Sequence, residues 1–232
     1  MAGHADDDGH GDVDGGASRS RTGLSRGRVI DGAVALADRI GIDPLTIRKL
    51  ATELGVRPMT IYHYVDNKDD IIDGMVDAVF AEIERPPVDL EWTEAMRIRC
   101  RSARRVLARH PWATALMETR TNPGPATLGH HDAVIACLRR AGMDWPLLAT
   151  AYASIDAYVY GFALQEAGLP FETEAEAAEV ATVMMEHFPV EAFPNLAAFT
   201  MEHVLQPGYN FAAEFDTGLD LVLDGLVARL RG

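Results

Sequence analysis

Residues 46–68 read T-I-R-K-L-A-T-E-L-G-V-R-P-M-T-I-Y-H-Y-V-D-N-K, and this stretch decides the fold. Ile47, Leu50, Ala51 and Leu54 recur at helical spacing and give a short first helix one apolar stripe. A helix of about two turns is not stable alone in water, so that stripe must pack on neighbours. Thr46 suits the N-cap, and Gly55 permits a turn that a side chain would hinder. Val56 returns to the core. Pro58 fits the first turn of a second helix, where its fixed φ is suitable and its missing N–H is not needed. Thr60, Tyr62, His63 and Tyr64 follow, and because the tyrosines flank His63 a helix cannot bury all three. The pattern predicts a helix-turn-helix whose second helix touches something outside the protein. The plainer reading, two core helices joined by a glycine, leaves the outward aromatics and basic neighbours unexplained.

On the N-terminal side, Val29, Ala33, Leu36 and Ile40 predict an inward stripe on a helix from about Ser25 to Ile40, ended by Gly41. Residues 19–28 form a basic arm that either serves as a solubilising linker or contacts phosphates or the minor groove. Residues 1–18, rich in Gly, Asp and His, predict a disordered acidic tail. On the C-terminal side, Asp66 and Asn67 mark a break before a long helix with the stripe Ile72, Met75, Val76, Val79, Phe80 and Ile83. Pro86-Pro87 ends that helix and marks a hinge.

The net charge of −14 argues against nucleic acid only until its distribution is considered. Residues 1–18 hold five acids and no Lys or Arg, residues 19–68 hold nine bases against five acids, and residues 69–232 hold 12 bases against 25 acids. A basic module on an acidic body suits a DNA-binding head joined to a part that avoids DNA. Past the hinge the pattern is helical only: segments near 91–109, a short one to Met117, 126–140, 146–167, 173–187, 195–205 and 209–231. The fold class is therefore all-α. Its divisions are the tail 1–18, a helix-turn-helix domain with its arm over 19–70, and a helical domain over 71–232. Cys100 and Cys137 lack C-x-x-C spacing and read as small buried hydrophobes in a reducing compartment. No segment has about 18 uninterrupted apolar residues and the N-terminus has no apolar signal core, so no membrane span and a cytoplasmic location are expected.

The segments Leu24 to Ala33, Pro44 to Ala51 and Thr60 to Lys68 together resemble the DNA-binding domain of the tetracycline-repressor (TetR) family over about residues 24–84. The body resembles the tetracycline-repressor branch more loosely, in its helix pattern and in Thr119-Arg120. The resemblance implies a homodimer whose long fourth helix joins a three-helix head to a ligand-sensing and dimerisation domain. It further implies binding to a palindromic double-stranded DNA operator and release by a small-molecule effector. Pro58, Met59, Thr60, Tyr62 and Tyr64 then lie in or beside the major groove, and Arg48 is placed to pair with a guanine edge. Thr46 and Lys68 would hold phosphates, which fix register without reading sequence. Arg57 stands where some relatives have an acid and would add a base or phosphate contact.

In the tetracycline-repressor branch a metal-chelating histidine precedes the Thr-Arg pair, and another histidine at the end of the fourth helix holds the drug. Here those positions are Leu116 and Glu84. These departures imply an effector other than a tetracycline–magnesium complex, mostly hydrophobic with one or two polar groups. The candidate ligand-binding residues are Met96, Met117, Arg120, His131, Val134, Tyr152 and Asp156. Tyr152, Asp156 and Tyr160 recur four apart on an apolar helix, where an aspartate is costly unless paired. They read either as a ligand-facing row or as dimer packing with Asp156 paired to Arg120 or Arg139. Met96, Met117, Met184 and Met185 suit either a plastic pocket or core filling.

No metal site or cofactor is expected. His130 and His131 are adjacent and about 100° apart on a helix, and no H-x-x-x-H, phosphate loop, G-x-G-x-x-G or G-x-S-x-G occurs. The chain reads as a ligand-responsive transcriptional repressor and not an enzyme. An activator of the same fold is the nearer alternative, and a helical enzyme or metabolite-binding module the more distant one.

Overall fold

The computed structural model describes residues 23–171, 173–186 and 188–231, and their regular structure is entirely helical. The expected acidic tail and the first residues of the basic arm lie outside the described residues. The head comprises α1 (Arg26–Ile40), α2 (Ile47–Leu54) and α3 (Pro58–Ile61). Ser25 caps α1 by accepting from Arg28 N at 3.2 Å, and Thr46 caps α2 by accepting from Lys49 N at 3.2 Å. Gly55 turns the chain with φ 65°, a left-handed conformation that glycine adopts without steric cost. Val29, Ala33, Leu36, Leu50 and Ile61 are buried together. Ile40, expected inside, is exposed at the last turn of α1.

The second helix of the motif is shorter than its pattern suggested. Regular α-helix ends at Ile61, and residues 62–64 continue as turns. α4 (Lys68–Glu82) begins at Asn67, whose side chain accepts from Asp70 N at 2.9 Å. It buries Ile71, Met75, Val76, Val79 and Phe80, with Ile71 replacing the expected Ile72 on the inner face. This helix packs against both α1 and α6, so one rigid element touches head and body.

The body holds α5 (Trp92–Arg109), a 3-10 segment over Pro111–Leu116, α6 (Pro125–Arg140), α7 (Trp145–Ala167), α8 (Glu174–Met185), α9 (Pro194–Phe199) and α10 (Glu214–Arg231). α9 opens into a π-helical stretch over Thr200–Val204. The closing helix starts later than residue 209, because Asn210 accepts from Ala212 N at 2.8 Å and holds a short 3-10 turn first. α7 runs through the body against α5, α6 and α10. Tyr158 Oη donates to Phe215 O at 2.8 Å, and the absence of a side chain at Gly218 lets its ring approach α10. By length and composition alone α7 is long and apolar enough to cross a bilayer, although Asp156 interrupts its apolar run. Its buried ion pair to α5 and its packing on three helices are those of a core helix. Cys100 and Cys137 are free and buried, as their pattern suggested.

Candidate nucleic-acid interface and body cavities

The turn at Gly55 and the helix start at Pro58 carry the expected DNA-contact residues to one end of the head. Thr46, Arg48, Arg57, Pro58, Met59, Tyr62, Tyr64 and Lys68 are exposed, and Thr60 is half-buried. Met59 is 72% exposed in the first turn of α3. Among the described residues Arg48, Lys49, Arg57 and Lys68 carry no ion pair. The arginines of α5 behave differently: Arg97 meets Asp220, Arg101 meets Asp216, Arg104 meets Glu166 and Arg105 meets Glu84. The arginines of α5 are thus neutralised inside the body, while these four cations of the head carry no acidic partner among the described residues. Two other arginines of the head are paired, Arg26 with Asp70 and Arg39 with Glu53, each at 2.6 Å.

A set of polar contacts joins this head to the body. Asp38 of α1 accepts from Trp112 Nε1 at 2.7 Å and lies 2.7 Å from His110 Nδ1. His110 Nε2 stands 3.3 Å from Glu82 at the end of α4, and Glu82 also pairs with Arg109. Arg120 Nε donates to Asp73 Oδ1 at 2.5 Å, and its Nη2 reaches Asp69 at 3.4 Å. Asp77 caps the start of α6 by accepting from Thr127 N at 2.8 Å and Thr127 Oγ1 at 3.0 Å. Three acids along α4 therefore hold two separate pieces of the body.

Of the candidate ligand residues, Met117, Arg120 and His131 line one cavity of about 100 Å³ together with Glu118 and Thr127. Tyr152 reaches it through a hydroxyl contact with His131 Nδ1. Met96 and Val134 lie in the core and line none of the cavities described here. Asp156 is paired, but with Arg99 at 2.6 Å and not with Arg120 or Arg139. Arg120 is held by α4, and Arg139 lies over the Trp145 ring, 4.6 Å from its centroid. The packing alternative foresaw a paired Asp156 but not this partner, which comes from α5 inside the body.

The sequence reading missed Arg99 and His130. Both are fully buried, and Arg99 Nε donates to His130 Nε2 at 3.0 Å. Burial first, and the adjacent Arg99 charge second, push the His130 imidazole down to about 3. Burial is the largest influence on Arg99 and opposes its charge, but Asp156, Cys100 and Tyr160 around it together outweigh burial and raise its guanidinium further. Burial raises the Tyr152 and Tyr160 phenols, with the Asp156 charge adding to it. The available signal was Arg99's position, three residues after Met96 and four before Ala103 on the inward stripe.

A larger cavity of about 450 Å³ lies among the ends of α5 and α7, the start of α8 and residues 209–212. Ala108, Ala163, Glu166, Phe171, Tyr209 and Phe211 are among its walls, and it touches none of the candidate residues. Glu166, its one acidic group among the described residues, is already gripped by two nitrogens of Arg104. Among the described residues no group of three or more metal-ligating side chains occurs.

Comparison with known proteins agrees with this division into head and body. The model of bacterial regulatory proteins of the tetR family matches residues 29–75, and that of the tetracyclin repressor-like C-terminal domain matches residues 86–230. An HTH-type transcriptional regulator of Saccharopolyspora erythraea is 33% identical over 215 residues, covering 91% of this chain and 88% of the relative. The HTH-type transcriptional repressor DrrR1 of Streptomyces coeruleorubidus is 32% identical over 223 residues, covering 90% of this chain and 80% of the relative. Among solved structures, the Streptomyces coelicolor TetR family protein ActR in complex with actinorhodin aligns with a TM-score of 0.74 and 26% identity, covering 89% of this chain and 97% of that one. The outward basic helix-turn-helix, the all-helical body and both family matches lead to one conclusion: this chain is a DNA-binding transcriptional regulator of the TetR family.

Proposed function

We propose that the protein is a homodimeric repressor that binds a palindromic operator and leaves it when a small, mostly hydrophobic effector enters the body. The observation that carries the DNA part is the contrast in pairing: four cations of the head have no acidic partner among the described residues, while those of α5 do. Cations held ready in this way are what phosphates and base edges recruit. Arg48 reads a base edge, Thr46, Arg57 and Lys68 hold the backbone, and Pro58, Met59, Thr60, Tyr62 and Tyr64 fill the groove.

Dimerisation is supported by two helix faces that the single chain leaves open. Ala149, Ala153 and Ala157 of α7 and Leu221, Gly225 and Ala228 of α10 are exposed at one-turn spacings on helices that pack side by side. Small residues there permit close approach in a four-helix bundle with a second copy.

Effector response is supported by α4, whose Asp69, Asp73 and Asp77 are held by Arg120 and Thr127 around the Met117–His131 cavity. A ligand that prefers one arrangement of those contacts shifts α4 and with it the spacing of the two heads. The solved structure of ActR, a TetR family protein, in complex with actinorhodin supports this reading. A tetracycline–magnesium complex fits poorly here, since Leu116 offers no ligand atom and Glu84 is paired with Arg105. We place the protein in the cytoplasm, with its DNA.

Footprinting tests this reading. One protected two-fold symmetric site overlapping a promoter, lost when Arg48→Ala is combined with Tyr62→Ala, is expected. Broad protection without sequence preference, or a footprint indifferent to those substitutions, contradicts it.

A further inference from the structure

The segment that carries the outward tyrosines has little regular structure of its own. α3 is four residues long, Pro58–Ile61, and residues 62–64 follow as turns. A helix that short does not hold its shape alone. Ile61 and Val65 are buried at the two ends of the turn, and Tyr64 N donates to Ile61 O at 2.9 Å. Just beyond, Asp66 N donates to Asp70 Oδ2 at 3.1 Å. Asp70 lies in the first turn of α4, and its other carboxylate oxygen, Oδ1, is 2.6 Å from Arg26 Nη2 at the start of α1.

One carboxylate therefore joins three parts of the head: the start of α1, the end of the tyrosine-bearing turn and the start of α4. The close approach of α1 to α4 depends on Gly74, one turn further along α4, where a β-carbon would come within 2.6 Å of Ile30 Cδ1. In a capping box the acid three residues into the helix turns back to the N–H of the N-cap itself. Here Asn67 is the N-cap and accepts from Asp70 N at 2.9 Å, but the Asp70 side chain reaches one residue further, to Asp66. Burial is the largest influence on this carboxyl and opposes its charge. The Arg26 guanidinium and the Asp66 N–H together outweigh it and hold Asp70 below its ordinary value. A partly exposed ion pair contributes little stability by itself. Attraction to DNA does not account for the acid either, since a carboxylate near phosphates opposes binding.

We propose that Asp70 is a positioning residue for sequence recognition. Through the Asp66 N–H it holds the turn that presents Tyr62 and Tyr64 to the bases, and Arg26 fixes the direction of its carboxylate. Loss of this hold leaves Arg48, Arg57 and Lys68 in place, so attraction to phosphates persists while base reading is blurred. The assignment rests on the reading of the protein as a sequence-specific operator binder.

Binding titrations of the full chain compare the operator duplex recovered by selection with a scrambled duplex of equal length. Asp70→Ala and Asp70→Asn remove the same negative charge, but only asparagine keeps an acceptor for Asp66 N. Asp70→Ala is expected to lower the ratio of operator to scrambled affinity roughly tenfold or more, without weakening binding to the scrambled duplex. Asp70→Asn should keep most of the ratio. Arg26→Gln, which frees the carboxylate without touching the turn, should lower the ratio in the same direction and decides the matter if Asp70→Ala does not fold. Amide hydrogen exchange over residues 62–67, without DNA, should be faster in Asp70→Ala than in the wild type or Asp70→Asn. The proposal is overturned by operator binding in Asp70→Ala that equals or exceeds the wild type, by equal losses on both duplexes, or by Asp70→Asn as impaired as Asp70→Ala. An unchanged ratio in Arg26→Gln, or exchange that ignores Asp70, overturns it as well. A wild type that prefers no DNA sequence overturns the operator reading and takes the assignment with it; a preference indifferent to Asp70 overturns the assignment alone.

Discussion

Trp112 Nε1 donates to Asp38 Oδ1 at 2.7 Å, and the two residues stand on opposite sides of the seam between head and body. Trp112 is nearly buried, and the same carboxylate oxygen also faces His110 Nδ1. A hydrogen bond to a charged acceptor is among the stronger ones, and the indole has a fixed direction. Head orientation is thereby linked to the 3-10 segment that leads into the Met117–Arg120 loop.

Trp112→Phe keeps the ring packing and removes the donor. It should cost about 1–3 kcal/mol of stability and weaken the coupling between effector and operator more than operator affinity itself. Chemical denaturation, together with operator titrations at zero and saturating effector, measures both. Unchanged coupling would show that the seam does not transmit the signal.

Arg99→Ala removes one partner of a buried ion pair and should destabilise the body by about 3–5 kcal/mol, whereas Arg99→Met with Asp156→Leu should recover most of that loss. Urea denaturation of the two variants side by side provides the check. A double variant as unstable as the single one would mean that the pair's role is not electrostatic.

His130 gives the stability a pH dependence of defined sign. Its folded value is lowered by burial and by Arg99 from 6.5 to about 3. The unfolded chain therefore takes up a proton that the folded chain refuses, and stability present above pH 6.5 is lost as the pH falls toward 3. The slope from this residue approaches about 1.4 kcal/mol per pH unit once the unfolded imidazole is protonated. His130→Gln retains an acceptor for Arg99 and does not titrate, so the stability lost between pH 7 and pH 5 should be smaller in the variant. Equal losses in the two proteins would contradict the buried neutral imidazole.

Arg48→Ala and Lys68→Ala should separate reading from holding. Loss of Arg48 should cost roughly 1–3 kcal/mol and relax specificity at one base pair. Loss of Lys68 should weaken all sequences alike and lower the salt slope by about one. Binding titrations at several salt concentrations on matched and mismatched duplexes distinguish the two. Identical profiles would remove the division of roles.

The head was legible because its signals are local. Thr46, Gly55 and Pro58 each impose a backbone state through their own chemistry, and the structure places them at an N-cap, a left-handed turn and a first helical turn. The early end of the second helix after Ile61 was not legible, since Tyr62 and Tyr64 fit a helix or a turn equally well. Arg99 was hidden among the six arginines of α5, which look alike in sequence, and only packing against α6 and α7 decides which of them is buried. The cavity at residues 209–212 depends on how α8 and α10 meet the end of α7, a contact between segments far apart in the chain. Asp156 was visible as an anomaly on an apolar helix, but its partner required the third dimension.

Sequencing of random DNA fragments selected by the purified protein should show enrichment of one two-fold symmetric site whose half-sites are about 34–36 Å apart along the helix, or a multiple of that. Selection without enrichment, or of a single asymmetric site bound by one protomer, would contradict it.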